Sequence, residues 1–366
     1  MKRREFLTGA AALGTAGLAG CKPSAEPGAA PAYAGGESVR WRMVTTWPKN
    51  YPGLGTGAEF LARLIGEMTG GRVQVEVYGA GELVPAFEVF DAVSRGTAEM
   101  GHGAAYYWKG KSEATQFFAS VPFGMTAQEV TGWLYHGGGL ELYRELYAPF
   151  GLVPAPCGNT GTQMGGWFNK EINSLADLQG LKMRIPGLGG DVLRRAGGTP
   201  VSLPGGELFM ALQSGAIDAT EWVSPYNDLA FGLHRAAKYY YSPGWQEPGP
   251  VLEALFNEAA LAALPDDLRA IVLNACRVAE QDMLAEYTAR NHAALRQLVD
   301  EHGVELRAFP ADVLKRLHAL SDEVVAEIGA RDELSRRIHA SYTEFHRNAR
   351  AYHAIAEQAY LTARDL

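Results

Sequence analysis

The sequence predicts an α/β protein of two lobes followed by a helical C-terminal portion, and three observations carry the prediction. At 366 residues the chain exceeds the usual size of a single domain. Strand-like and helix-like patterns alternate in the first half and again after Pro154-Ala155-Pro156, the grammar of two α/β units. From Asp266 onward glycine and proline nearly vanish, which leaves helix as the dominant state.

The first element precedes the fold. Met1-Lys2-Arg3-Arg4 is a basic start, an uncharged run of Ala, Gly and Leu follows, and small residues lead to Cys21, so residues 1–20 read as an export signal peptide. The run from Phe6 to Gly20 is too short to cross a bilayer comfortably. Arg3-Arg4 with Phe6-Leu7 resembles a twin-arginine signal, although Lys2 and Thr8 depart from the usual pattern. Leu18-Ala19-Gly20-Cys21 resembles a bacterial lipobox, which makes Cys21 the expected lipidation site and the periplasm, with a membrane lipid anchor, the expected location. Residues 21–37, rich in Pro, Ala, Gly and Ser, read as a flexible tether.

Loss of residues 1–20 removes Lys2, Arg3, Arg4 and Glu5, so the formal charge moves from −8 to −10. No basic patch with interleaved aromatics remains, which argues against nucleic acid as a partner. An acidic protein that binds an anion needs local positive charge, and this directs attention to any buried arginine. Cys157 and Cys276 lack metal-type spacing and read as two buried thiols, with a disulfide as the alternative in an oxidising compartment.

The first lobe is expected over residues 38–157 plus about 247–265. Trp41 to Trp47 reads as a strand, Thr56 to Met68 as a helix with Phe60, Leu61, Leu64, Ile65 and Met68 at helical spacing, and the strictly alternating Val73-Gln74-Val75-Glu76-Val77 as a strand with one buried face. Phe87, Phe90 and Val93 suggest a further helix closed near Gly96.

The second lobe is expected over residues 158–246. It holds Trp167-Phe168 in a strand, a short helix capped by Ser174, the strand Lys182-Met183-Arg184-Ile185 ended by Pro186, and a helix from Glu207 to Gln213. Residues 266–302 predict one helix of about 55 Å, long enough to bridge lobes or reach a neighbouring subunit. Residues 303–366 predict a helical C-terminal region broken near Gly329, and pattern alone leaves open whether it forms a homodimer.

The stretches with chemical potential are rich in glycine. Gly158 to Phe168, Gly205-Gly206-Glu207 and Thr220-Glu221-Trp222-Val223 each combine close backbone approach with a long polar or aromatic side chain. None is a nucleotide loop. There is no Gly-x-Ser-x-Gly elbow, no His-Glu-x-x-His and no pair of carboxylates at a telling spacing, which weighs against an enzyme. Lys182 and Arg184 fall on the same side of a strand, so alternation does not choose between them as an anion partner. A guanidinium fork matches a carboxylate bidentately, which an ammonium does not. Tyr239-Tyr240-Tyr241 reads as strand packing, and His102 and His136 as structural or exposed histidines.

Taken together, Trp47-Pro48-Lys49-Asn50, Ala104-Ala105-Tyr106-Tyr107-Trp108, Pro122-Phe123-Gly124-Met125, Gly158-Asn159-Thr160-Gly161, Leu181-Lys182-Met183-Arg184-Ile185-Pro186-Gly187, Leu212 to Ala219 and Glu221-Trp222 resemble the solute receptors of tripartite ATP-independent periplasmic (TRAP) transporters. The resemblance covers nearly the whole mature chain. Gln163, Glu221-Trp222 and Gly244-Trp245-Gln246-Glu247 are most similar to the branch that binds 2-oxo or 2-hydroxy monocarboxylates, such as pyruvate or lactate, together with a metal ion.

The resemblance implies the bilobal periplasmic solute-binding protein fold, with two α/β lobes around a ligand cleft, a long spanning helix and closure on binding. It implies that Arg184 meets the ligand carboxylate, and that Gln163, Glu221, the main-chain carbonyl of Trp222 and the side chain of Gln246 hold the cation beside the ligand. Such an oxygen set suits a hard cation, Na⁺ or Ca²⁺. Tyr106 and Asn227 are the candidates for hydrogen bonds to the ligand's second oxygen. The implied partners are a small carboxylate and the TRAP membrane permease subunits. Two alternatives stand beside this reading: an exported metal-dependent hydrolase or lyase acting on a small carboxylate, and a sensory receptor that serves no transporter.

Overall fold

The computed structural model describes residues 38–366; the expected signal peptide, tether and Cys21 lipidation site lie outside the described residues. Two sheets organise the chain. The first has the order β2-β1-β3-β10-β4, with β1 at Val39–Thr45, β2 at Val73–Tyr78, β3 at Met100–Gly103, β4 at Leu152–Asn159 and β10 at Val251–Asn257. The second has the order β11-β9-β5-β8-β6-β7, with β5 at Gly166–Phe168, β6 at Lys182–Arg184, β7 at Thr199–Val201, β8 at Ala219–Thr220, β9 at Tyr239–Ser242 and β11 at Glu305–Ala308. Both are mixed, since β2 and β3 run parallel to β1 while β10 is antiparallel to β3 and β4. In the second sheet β6 is parallel to β7 and β8, and β5 is antiparallel to β8 and β9.

The chain crosses between the sheets three times, from β4 to β5, from β9 back to β10, and finally through the long helix to β11. The helix Leu54–Met68 lays Leu54, Ala58, Leu61, Ala62 and Ile65 onto the first sheet at spacings of three and four, as its apolar periodicity demands. The helix Asp266–Arg296 has 31 residues and buries Leu268, Val272, Ala275, Cys276, Ala279, Met283 and Tyr287 along one stripe. It ends as an α-helix at Arg296, short of the expected residue 302, and continues as a wider turn over Gln297–Glu301 before Gly303 takes a φ of 64°.

The region expected to be helical from residue 303 begins instead with a strand. Glu305–Ala308 adds to the edge of the second sheet, parallel to β9, and Arg307 joins both Glu305 and Glu171 there. Pro310 then starts the helix Ala311–Gly329, and Asp332 caps a new one, Glu333–Ile355, by accepting from Ser335 N at 2.7 Å.

One apolar core runs beneath both sheets and includes Trp47, Trp167, Trp222 and Trp245. A second lies between the first sheet, the helix Leu54–Met68 and the long helix. Cys157 and Cys276 belong to that second core as free, buried thiols. No helix among the described residues is long and apolar enough to cross a membrane.

Candidate functional site

Strand pairing brings the first two site residues together. Arg184 ends β6 and stands opposite Thr220 of β8, and Glu221 N donates to Arg184 O at 3.2 Å. In this three-residue strand Lys182 is exposed while Arg184 is only 1% exposed, so burial makes the choice that alternation left open. The other site residues lie where the chain crosses between sheets. Gln163 sits between β4 and β5; Gln246 and Glu247 sit between β9 and β10. The two crossovers are stitched to each other, with Gln163 N donating to Glu247 O at 3.1 Å and Gly244 N to Gln163 O at 3.0 Å. Met164 N donates to Val223 O at 3.0 Å, which ties the same segment to the chain following Glu221-Trp222.

Arg184 is held on every side. Its Nε donates to Leu203 O at 3.2 Å, Nη1 to the main-chain oxygen of Glu221 at 3.2 Å and to the Glu221 carboxylate, and Nη2 to Tyr107 Oη at 3.3 Å. The Trp222 ring lies 5.1 Å from its Cζ. Burial opposes the charge on Arg184, but Glu221, Tyr107, Tyr106 and Glu247 outweigh it and hold the guanidinium above its ordinary range. Arg184 is therefore a permanent buried cation.

Around it lie buried oxygens with no donor. Gln163 Oε1, Glu221 Oε2, Gln246 Oε1 and Glu247 Oε2 are all buried and make no hydrogen bond. The amide nitrogens of the two glutamines are engaged, Gln163 Nε2 with Thr160 Oγ1 at 3.2 Å and Gln246 Nε2 with Met164 O at 2.9 Å, which fixes each Oε1 pointing away. Burial raises both carboxyl groups above their usual range. For Glu221 the Arg184 charge pulls down and Asp228 pushes up; for Glu247 the charge of Glu221 adds to the rise while Arg184 and Gln163 oppose it. Four unsatisfied acceptors in one buried region normally carry a large cost, and a bound cation removes it. Among the described residues no group of three or more His, Cys, Asp or Glu side chains is placed to hold a metal ion, and the idle oxygens here come from two carboxylates and two amides.

Aromatic side chains close the region. Trp222 has its ring edge against Trp47 and Tyr51, with centroids 6.3 Å away in each case. A Cβ on Gly205 would stand 2.4 Å from the Trp222 ring, which explains the glycine at that position. Tyr106 packs against Gly187 across the two sheets, and its hydroxyl is pushed up by burial and then by Glu247, Tyr107 and Glu221, so it borders the same cluster. Asn227 has other partners: its Nδ2 donates to Pro52 O at 2.6 Å and its Oδ1 accepts from Tyr287 Oη. The side chain expected to meet the ligand is thus committed to neighbouring protein groups.

Sequence reasoning passed over two residues of the cluster. Glu247 follows Gln246 directly, and two consecutive polar side chains between Trp245 and Pro248 were the available signal. Tyr107, beside the chosen Tyr106, is the one whose hydroxyl accepts from Arg184. His102 is buried and neutral, its pKa lowered to about 4 by desolvation, and it accepts from Trp47 Nε1 at 2.8 Å; His136 is exposed. Tyr239-Tyr240-Tyr241 forms β9, as the packing reading expected.

Three kinds of comparison bear on this geometry. The model of the family described as bacterial extracellular solute-binding protein, family 7, matches residues 43–332. A monocarboxylate 2-oxoacid-binding periplasmic protein of Nostoc sp. strain PCC 7120 is 44% identical over 363 residues, 98% of each chain. Among solved structures, a TRAP periplasmic solute-binding protein of Pseudoalteromonas atlantica T6c with bound sodium and pyruvate is 43% identical, with a TM-score of 0.87 over 89% of this chain and 99% of that one. A TRAP solute-binding protein of Bordetella bronchiseptica RB50, a dimer with copurified calcium and picolinate in one of its sites, is 38% identical, with a TM-score of 0.88 over 90% of this chain and 98% of that one.

Proposed function

The chain belongs to the bacterial extracellular solute-binding proteins of family 7, the receptors of TRAP transporters, and from that premise we propose that it encloses a small 2-oxo monocarboxylate of the pyruvate class together with a sodium or calcium ion. The single observation that carries this reading is the pairing of one buried guanidinium with four buried oxygens that lack any donor. Arg184 supplies the buried positive charge for the ligand carboxylate, with one N–H of Nη2 left uncommitted by the protein. Gln163, Glu221, Gln246 and Glu247 supply oxygens for the cation, and the Trp222 carbonyl is a further expected ligand. Glu221 can serve both, because its Oε1 faces Arg184 while its Oε2 is free. The cation neutralises the carboxylates and offers the ligand's oxygens a second positive partner.

Charge counting separates the two ions. With Glu221 and Glu247 ionised, Arg184 leaves the cluster one negative charge, and the ligand adds another. Calcium brings the sum to zero, whereas sodium leaves it negative in a medium that penalises uncompensated charge. In a thermal-shift screen of small 2-oxo and 2-hydroxy acids, the largest rise in melting temperature is expected for pyruvate with calcium, a smaller one with sodium, and almost none after chelation and dialysis. Carboxylate binding that is unchanged in metal-free buffer overturns the cation half of the reading.

Three further parts of the reading concern the chain's surroundings. The N-terminal residues support export by a twin-arginine route and a lipid on Cys21; a Cys21→Ser precursor should lose its lipid, and membrane retention equal to wild type counts against the lipobox. The exposed Tyr352, Ile355, Tyr360, Leu361 and Leu366 near the C-terminus, with the dimeric Bordetella relative, support a homodimer through that end, which light scattering on the purified protein tests. Delivery to the TRAP permease is the role the family implies, and loss of uptake on deleting the receptor separates transport from sensing.

A further inference from the structure

Asn227 and Asp228 are consecutive residues of the helix Pro225–Phe231, yet they serve different halves of the molecule. Asp228 is bound wholly within the second half, accepting from Trp167 Nε1 at 2.9 Å, Tyr240 Oη at 2.7 Å and Val223 N at 3.3 Å. Asn227 reaches the other way. Its Nδ2 donates to Pro52 O at 2.6 Å, its main-chain carbonyl accepts from Tyr51 Oη at 2.6 Å, and its Oδ1 accepts from Tyr287 Oη of the long helix. Tyr51 and Pro52 lie in the loop between β1 and the helix Leu54–Met68, which belongs to the first half.

The loop is shaped for this contact. Gly53 takes a φ of 70°, and a Cβ there would stand 2.5 Å from Tyr287 Oη, so only glycine lets the loop approach the long helix. The Tyr51 ring stacks on Phe231 with centroids 4.2 Å apart and lies edge-on to Trp222. Asn227 itself is 0% exposed, so its three bonds form without competition from water.

We propose that Asn227 is a positioning residue, a latch whose bonds to Tyr51 and Pro52 form when the halves meet and hold the closed conformation around the ligand. The latch rests on the proposed assignment of the ligand cleft, and the two share one rigid piece of chain. Trp222 and Val223 lead through Ser224 into the helix that carries Asn227, and Val223 is fixed at both ends, its N–H by Asp228 and its carbonyl by Met164 N. Bonds at Asn227 therefore hold Glu221 and Trp222 in register without touching the ligand.

A latch and a ligand contact have different signatures. A contact changes affinity according to the ligand it touches. A latch adds to the stability of the closed state whatever is inside, so weakening it lowers every affinity by one factor, mainly through faster dissociation.

The experiment titrates the full mature chain, with calcium present, against pyruvate and 2-oxobutyrate by calorimetry, and follows dissociation by stopped-flow fluorescence. Tyr51→Phe, which removes one latch bond and keeps the ring, should raise the dissociation constant about five- to tenfold for both acids alike, with the change in the off-rate. Asn227→Ala should do more, and small-angle scattering of that variant at saturating pyruvate should show a larger radius of gyration than wild type. Wild-type affinity in Tyr51→Phe overturns the latch, and so does an effect on one acid only. The wild-type titration separates the two failures: absence of wild-type binding overturns the ligand assignment and the latch with it, whereas wild-type binding with an unaffected Tyr51→Phe overturns the latch alone.

Discussion

Buried carboxylates fall into two groups in this protein, and the contrast between them locates the site better than burial does. Glu253 of β10 is as buried as Glu221, both at 0% exposure. But Glu253 is saturated, accepting from Trp108 Nε1, Tyr143 Oη and, at 3.4 Å, Tyr147 Oη. Glu280 is likewise engaged by Thr131 Oγ1 at 2.9 Å and Tyr135 Oη at 3.3 Å. Glu221 and Glu247 each keep one oxygen without any donor. A saturated acid holds its surroundings together; an acid with an idle oxygen waits for something that the chain itself does not supply.

The sharpest test of this division is at Arg184, which stands only on the unsaturated side. Arg184→Ala should weaken carboxylate binding by about 2–5 kcal/mol, because the ligand's charge then loses its buried guanidinium partner. Calorimetry showing less than a tenfold loss breaks the assignment of the guanidinium to the ligand.

How far the sequence spoke differs along the same line. Strand Val73–Tyr78 and the helix Leu54–Met68 were readable because their periodicities stand alone, and Arg184 stood out because the surrounding motif resembles a known family. Glu247 carries no signal of its own, because nothing in a Trp-Gln-Glu-Pro run tells that both polar side chains turn inward; the crossover geometry decides that. Asn227 carries no local sign of the bonds it makes, because its partners Pro52 and Tyr287 are 175 and 60 residues distant, beyond any local pattern. The strand Glu305–Ala308 was missed for a related reason. Four residues between helices carry too little alternation to announce themselves, and pairing with β9 creates the strand.

The next test applies to the saturated group. Glu253→Gln presents an amide where three donors converge and should destabilise the fold by about 1–3 kcal/mol in acid, read from thermal or urea unfolding. Its pH dependence has a definite sign. Burial raises the Glu253 pKa to about 7, above that of the unfolded chain, so the folded state retains a proton that the unfolded state releases. The stability this gives is complete below the unfolded value and is lost as pH rises through about 7. The gap between wild type and Glu253→Gln should therefore narrow over that window. A gap that widens with pH shows that Glu253 is ionised in the fold and breaks this half of the comparison.

The smallest change in stability is expected where the same substitution is made on the other side. Glu247→Gln removes no hydrogen bond to Oε2, since none exists, and it relieves the repulsion from Glu221. Unfolding in metal-free buffer should move by less than about 1 kcal/mol, towards greater stability if at all. Calcium should lose most of its stabilising effect, because a carboxylate is replaced by a neutral amide in a hard-cation site. Each glutamine replaces one carboxyl oxygen by an amide nitrogen, so opposite outcomes at positions 253 and 247 reflect whether that oxygen was already satisfied by the protein. If Glu247→Gln instead destabilises the metal-free chain as much as Glu253→Gln does, the idle oxygens are structural and the cation must be sought elsewhere.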